Sequence, residues 1–561
     1  MTTINTASRL VTYGAAAATP LVTPETDVSQ FSTATLKSLS LTDITRLSTS
    51  QVIQIDAANM GYLSGSQLAA FSTQQIQALT EPQVTALSST QLQSLTARQV
   101  TALSVEQLNA ISTSKISALK ATQISAISTT VLSGLDNSEL KNLTASQIQA
   151  LTTDQIVGLT ADQLAALGTA QIANLKNNQV AAIALDDITA LTTNQVKALS
   201  GTQVKSLTVA QLGALQTDQI QAIDTADMAG LTATQLGAWS STQLSALSTA
   251  QVNALSGSVF KALSAAQLQA FTTTQVSKFS DAQIKGLTAT QFDALSTSQL
   301  TALTTSQVAL LSVANLATLD TADVAALSTD DVRAMTNTQL KSLSSNVLSG
   351  MSTAQLNAIS TSLVTNLAGG AISALSSTQI QSLSTSHINA LSATQIKALS
   401  ASAIGSMTTT QINNLSDTQV KLLSANQFAG LSTTQVANLS TGKLSLLSAA
   451  QLAAFDTNDM AALTTSQKTG LGTAQLKALT AVQVGAMSAD LVDSLTAAQF
   501  KQFSNAQIAA LSTSAVAKLT ATKVNELTSA QIKSFTTTQV AALSTSVTGS
   551  LNTSSDRKSV V

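Results

Sequence analysis

Leu391-Ser392-Ala393-Thr394-Gln395-Ile396-Lys397-Ala398 is one copy of an eight-residue unit that runs from Phe31 to Ser550 without an inserted or deleted residue. Units start at 31, 39, 47 and every eighth residue to 543, so this stretch holds 65 consecutive octads. A chain of 561 residues would ordinarily suggest several domains, but the unbroken register makes residues 31–550 a single array.

Each octad position has its own chemistry. Position one is apolar in every unit, mostly Leu, with Ile, Phe, Met and once Trp239. Position six is Val, Ile, Leu, Met or Phe except at Lys468 and Thr548. Position two is usually Ser or Thr and sometimes Asp, position five is usually Gln, and position eight is most often small. These preferences describe the start of a short helix. A Ser or Thr followed three residues later by Gln is a capping box: the hydroxyl accepts from the N3 backbone N–H while the Gln side chain reaches back to the cap's own N–H. Apolar residues just before the cap and at N4 form a hydrophobic staple. With Ser392 as the cap, Leu391 and Ile396 are the staple and Gln395 is N3. A helix of about seven residues, roughly 10 Å long, then ends at the next cap.

One long helix does not fit, because apolar spacings of five and three average four residues per turn and drift from 3.6. A β-solenoid competes on its Thr, Val and Ile content. Positions one and six have opposite parity, however, and a flat strand cannot bury both on one face. Pro82 falls on the second residue of its predicted helix, where a missing N–H costs little. The expected fold is all-α, an α-solenoid of about 65 short helices. Two buried aliphatic side chains per octad cannot offset the entropy of ordering eight residues, so the octads must stack. Small position-eight residues such as Ala398 would let the helices approach closely, with two per layer expected.

Residues 1–30 do not scan with the octad and read as a separate N-terminal leader, carrying Pro20 and Pro24. Arg9, Leu10, Val11 and Ala15 to Ala18 suggest a secretory signal that Thr12, Tyr13 and Gly14 interrupt. Residues 551–561 form a C-terminal tail, polar and then closing on Ser559, Val560 and Val561. That ending resembles the uncleaved C-terminal signals of type I-secreted bacterial proteins. No run of about 18 apolar residues is present, so no membrane span is expected. Ten per cent charged residues and a net charge of −2 give neither a nucleic-acid-binding face nor an acidic tail. With no cysteine there are no disulfides or thiolate metal sites.

Leu191-Thr192-Thr193-Asn194-Gln195-Val196 and Leu143-Thr144-Ala145-Ser146-Gln147-Ile148 carry a resemblance. Over about nine-tenths of its length the chain resembles the L-[ST]-x-x-Q-[VIL] octapeptide tracts of large bacterial secreted and surface proteins, which are adhesin- or matrix-like. The octad at Phe455, with Asp456 and Asp459, departs from that pattern. The resemblance implies a structural extracellular or cell-surface protein.

No catalytic, cofactor-binding or metal site is expected, and the chain is not read as an enzyme. The lone histidine, His387, stands where Gln normally stands and reads as a helix-start substitute without catalytic partners. Asp224 with Asp227, Asp320 with Asp323, and Asp456 with Asp459 occupy positions two and five, where carboxylates cap helices; calcium would need six to eight oxygens. Lys397 and the other position-seven lysines are expected to face solvent. Lys468, in a core position, is expected to snorkel, keeping its ammonium in water. Gly369 and Gly370 mark either a soft joint or a weakened helix.

The apolar pattern begins at Phe31 and persists through Leu543, so both ends are expected to be sticky and to join copies head to tail. The expected function is a structural, adhesive protein that self-assembles into filaments or matrix, with itself and surface or matrix polysaccharide as partners. The alternative is a repeat solenoid binding a glycan, a mineral or ice.

Overall fold

The computed structural model describes residues 21–552. The segment read above as an interrupted secretory signal and residues 553–561 of the type I-like tail lie outside the described residues. The chain divides into two compact units, residues 1–271 and 272–561, each of which is a solenoid of short helices. Among the described residues there are 64 α-helices, two 3-10 helices and no strand. Every octad but one is an α-helix. Most are four to six residues long, shorter than the seven expected, because the turn consumes both positions one and two.

The octad at Leu391 shows how the turn is made. Ser392 is extended (φ −70°, ψ 165°), the helix runs Ala393–Ala398, and Leu399 is extended again (φ −64°, ψ 135°). Two extended residues therefore reverse the chain, and no described residue has positive φ. That is why no glycine recurs at a fixed position. Ser392 Oγ accepts from Gln395 N at 3.4 Å and Gln395 Oε1 accepts from Ser392 N at 2.8 Å, completing the capping box. Pro82 is the second residue of its helix, as its missing N–H requires.

Burial repeats with the octad. Positions one, five and six are buried, two to four exposed, seven exposed and eight half-buried. Leu391 and Ile396 are 5% and 0% exposed. Within each unit, helices pack against the helix three octads on, as Gly65–Ala69 does against Ser89–Ser94. Position three meets position eight in that contact: a Cβ at Gly369 would stand 3.6 Å from the Ala398 Cβ. Small residues at position eight thus do admit close approach. The hydrogen bonds described below return after 28 and 31 residues. One turn of each solenoid therefore takes about 28 residues, or three and a half octads, and two helices per layer is corrected accordingly.

The octad Ile359–Asn366 is the exception, closing as a 3-10 helix at Val364–Asn366. Its position five is Leu363, which cannot make a capping box. The next octad keeps only a four-residue helix, Gly369–Ile372, with no side-chain cap at Ala368. The glycine pair thus lies in a shortened, uncapped helix.

The N-terminal end is covered. Val22 and Val28 are buried, and Val28–Gln30 is a 3-10 helix against the helix Thr49–Gln54. Asp43 Oδ1 accepts from Leu21 N at 2.8 Å and Val22 N at 3.4 Å, and Gln51 Nε2 donates to Thr23 O at 2.9 Å and Thr26 O at 3.0 Å. Residues 21–30 supply the contacts of a missing first turn, so the expectation of a sticky N-terminal end is corrected. At the other end the helix Thr545–Asn552 runs eight residues without turning. It buries Val547 and Leu551, spaced four apart, while Val540 and Leu543 are only half-buried.

Candidate functional site

Position five is the most chemically distinctive place in the octad, and its polar group is used inside the fold. Gln395 is 1% exposed. Its Oε1 holds the cap N–H, and its Nε2 donates to Val364 O at 2.8 Å and Leu367 O at 2.7 Å, the position-six and position-one carbonyls of the preceding turn. The same pair of bonds recurs from Gln67 to Leu36 and Leu39, from Gln147 to Ile116 and Leu119, and from Gln507 to Leu476 and Leu479. A buried ladder of side-chain amides thus ties successive turns together. The position-one carbonyl belongs to the C-cap residue, and the position-six carbonyl, which already takes the C-cap N–H (Leu367 N to Val364 O, 3.1 Å), accepts a second bond here.

The ladder was missed in the sequence, although a signal for it was present. A capping box accepts Glu as readily as Gln. Yet Gln fills position five in 42 octads and Glu in one, Glu139, whose carboxylate turns to Ser138 Oγ at 2.8 Å. Only a requirement for the amide's donor N–H groups explains that bias. The cap hydroxyl is the dispensable half: where position two is Gly168, Lys176 or Gly472, the Gln Oε1 still accepts from the cap N–H at 2.6–2.9 Å.

Nine octads carry Val, Leu or Ala at position five and forgo the ladder, but His387 and two lysines there keep a donor toward the previous turn. His387 is buried, with Nε2 2.8 Å from Ile359 O and Nδ1 2.6 Å from Ser384 Oγ. A carbonyl only accepts, so Nε2 carries the proton and Nδ1 accepts from the hydroxyl. His387 therefore stands in for Gln in the ladder, while the cap N–H of Ser384 donates instead to Asn357 Oδ1 at 3.3 Å. Lys115 Nζ donates to Thr85 O at 2.6 Å, and Lys523 Nζ to the carbonyls of Val492 and Asp493.

Aspartate fits less well. Asp456 Oδ1 accepts from Asp459 N at 2.7 Å and Asp459 Oδ2 from Asp456 N at 3.2 Å, a reciprocal cap that Asp320 and Asp323 repeat. Asp224 Oδ1 accepts from Ala226 N at 3.1 Å. The pairs thus cap helices. Having no donor, an aspartate at position five cannot join the ladder: burial, with the neighbouring Asp224, Asp320 or Asp456 carboxylate adding to it, pushes Asp227, Asp323 and Asp459 above the usual carboxylate range. Asp43 goes the other way, held low first by the Ser40 hydroxyl and then by backbone N–H groups.

Lys468 corrects the snorkelling expectation. It is 3% exposed, and its ammonium donates to Ala461 O at 3.3 Å instead of reaching water; burial lowers its pKa. The position-seven lysines do face solvent, Lys397 among them. Other position-seven side chains form a second, outer set of links. Thr85 Oγ1, Gln93 Nε2 and Thr101 Oγ1 donate to the carbonyls of Ala110, Ala118 and Ala126, each 25 residues on.

The core between these layers is filled. Two enclosed voids between residues 356 and 447 are only about 10 and 20 Å³, lined mainly by aliphatic residues such as Ile412, Leu415 and Val420. The outside consists of rows of Ser and Thr at positions two to four. No described helix is long and apolar enough to cross a membrane.

A repeat-family model described as the ALTTAQ repeat matches residues 149–177, 180–217 and 220–257, three tandem stretches that together cover under a fifth of the chain. Ala150-Leu151-Thr152-Thr153-Asp154-Gln155 reads almost as that name, from position eight through position five. No curated protein matches the chain.

Proposed function

We propose that the chain is a structural, adhesive scaffold of the cell surface or extracellular matrix, without catalytic activity, that acts through its flanks. The observation that carries this reading is the commitment of position five. The octad's most distinctive polar group is spent joining one turn to the next, and the surface left outside is hydroxyl-rich and repetitive. Similarity to the ALTTAQ repeat supports a repeat scaffold.

Self-assembly enters this reading in a changed form. A second copy's terminal turn would present carbonyls to the N-terminal end, where Asp43 offers only acceptors and residues 21–30 already fill Gln51. Growth at that end requires removal of the segment. Half-buried Val540 and Leu543 leave apolar surface at the other end. Sedimentation velocity and negative-stain microscopy across concentration test this. The full chain should polymerise slowly, and the chain lacking residues 1–30, or carrying Asp43→Ala, should form fibres faster. All three staying monomeric at high concentration would overturn assembly.

A further inference from the structure

Seven lysines occupy position seven between residues 272 and 552: Lys285, Lys341, Lys397, Lys421, Lys477, Lys501 and Lys533. All are exposed. Consecutive ones are separated by 56, 56, 24, 56, 24 and 32 residues. Since one turn takes about 28 residues, every gap corresponds to one turn or two, that is, three, four or seven octads. None is one, two, five or six octads, the steps that would carry a lysine round to another side. Whole-turn spacing places Lys285, Lys341 and Lys397 in one line and Lys421, Lys477 and Lys533 in a second line half an octad round from it, with Lys501 at the edge of the flank they form. Of the other charged position-seven residues, Asp293 and Asp493 face elsewhere, while Arg333, six whole turns before Lys501, lies with it at the edge of this flank.

The helix macrodipole favours a cation in any helix's last turn. That accounts for lysine at position seven, but it acts equally on every octad and cannot align lysines from turn to turn. Most of these charges are also not used within the fold. Lys501 pairs with Glu526 at 3.3 Å and Lys421 lies near Asp417, whose carboxylate is bound by Lys443 at 2.8 Å. The remaining five make no ion pair within 4.0 Å among the described residues. Between them on the same flank lie neutral residues such as Ala317, Thr365, Ser373 and Ser445, all exposed.

We propose that this flank binds an extended acidic polysaccharide, with the lysines contacting its carboxylates and the intervening hydroxyls its sugars. With helices packed about 9 Å apart, lysines two turns apart stand roughly 18 Å from one another. That exceeds the Debye length of about 8 Å at physiological salt, so each lysine acts as a separate contact. A duplex with one charge per roughly 1.7 Å calls for a far denser cationic surface, usually with arginine. The two lysine lines hold no arginine and no aromatic residue for base stacking. A sparsely charged, hydroxyl-rich chain matches both the spacing and the surface between. The inference deepens the scaffold reading by giving one flank a ligand, and it is tested apart from assembly.

The experiment measures binding of the full chain to polygalacturonate, dextran, duplex DNA and anionic phospholipid vesicles over a salt series. One variant carries Lys341→Gln, Lys397→Gln and Lys477→Gln. A control of equal charge change carries Arg98→Gln, Lys278→Gln and Lys518→Gln, three exposed cations off the column. Polygalacturonate should bind and dextran should not. The column variant should lose about tenfold or more through lost multivalency and show a flatter salt dependence, while the control changes less than about twofold. Equal losses in both variants, equal binding of dextran, or tighter column-dependent binding of DNA or vesicles would each overturn the proposal. Monomeric protein that still shows the column effect would retain it even if filament formation fails.

Discussion

Gln395 Nε2 donates to the carbonyl of Leu367, 28 residues earlier, at 2.7 Å, and the same separation recurs from Gln67 to Leu39 and from Gln507 to Leu479. This bond joins turn to turn and sets the return of the solenoid. It also changes what the glutamine is worth: a capping contact alone is worth about 1 kcal/mol, but here three buried hydrogen bonds meet on one side chain.

Replacing Gln395 with Ala should therefore cost about 2–4 kcal/mol locally, because the Leu367 and Val364 carbonyls lose a donor in a buried site. Gln395→Glu should cost at least as much. It keeps the acceptor that a capping box needs but turns a carboxylate toward two carbonyls. Hydrogen exchange of the amides around 364–367 and 392–396 measures both; a near-neutral Glu variant would reduce the residue to a cap.

Ile396→Asp should destabilise by roughly 3–5 kcal/mol, since a charge would enter a fully buried position. Limited proteolysis should cut this variant near 396 before the wild type. Substitution of exposed Lys397 by Gln should leave the cleavage pattern unchanged.

Lys468→Met should stabilise the chain at pH 7 by about 1–2 kcal/mol, replacing a buried ammonium held by one carbonyl with an apolar side chain of similar length. Burial lowers the folded-state pKa of Lys468 below its ordinary value of 10.5. The penalty is thus fully present below the folded pKa and fades as pH rises from there toward 10.5. Urea melts at pH 7 and pH 10.5 should show the variant's advantage shrinking at the higher pH.

Acid should act in opposite directions at two carboxylates. The folded pKa of Asp43 is depressed, so its contribution is present above the ordinary carboxylate value and is lost as pH falls through the folded pKa. That of Asp459 is raised by burial, so its cost at neutral pH is relieved as pH falls through its folded value. Hydrogen exchange at falling pH, corrected for intrinsic rates, should show the Leu21 and Val22 amides losing protection while the helix at 457–462 does not. Asp459→Gln, which restores a donor toward the previous turn, should stabilise by about 1–2 kcal/mol at pH 7 and by less in acid.

The sequence by itself determined the local structure. Octad register, helix starts, the capping box and the buried positions one and six all follow from interactions that close within about four residues, and they are the same in every copy. The aspartate pairs and His387 were legible as helix-start groups for the same reason. Which octads meet could not be read from one octad, because two extended residues reverse the chain by an angle that only packing selects. That angle sets the 28-residue return, and with it the carbonyls facing Gln395 and the flank shared by Lys341 and Lys397. It also decided the fate of residues 21–30. Their sequence lacks the octad, yet their backbone supplies the N–H and carbonyl groups that Asp43 and Gln51 would otherwise leave unpaired.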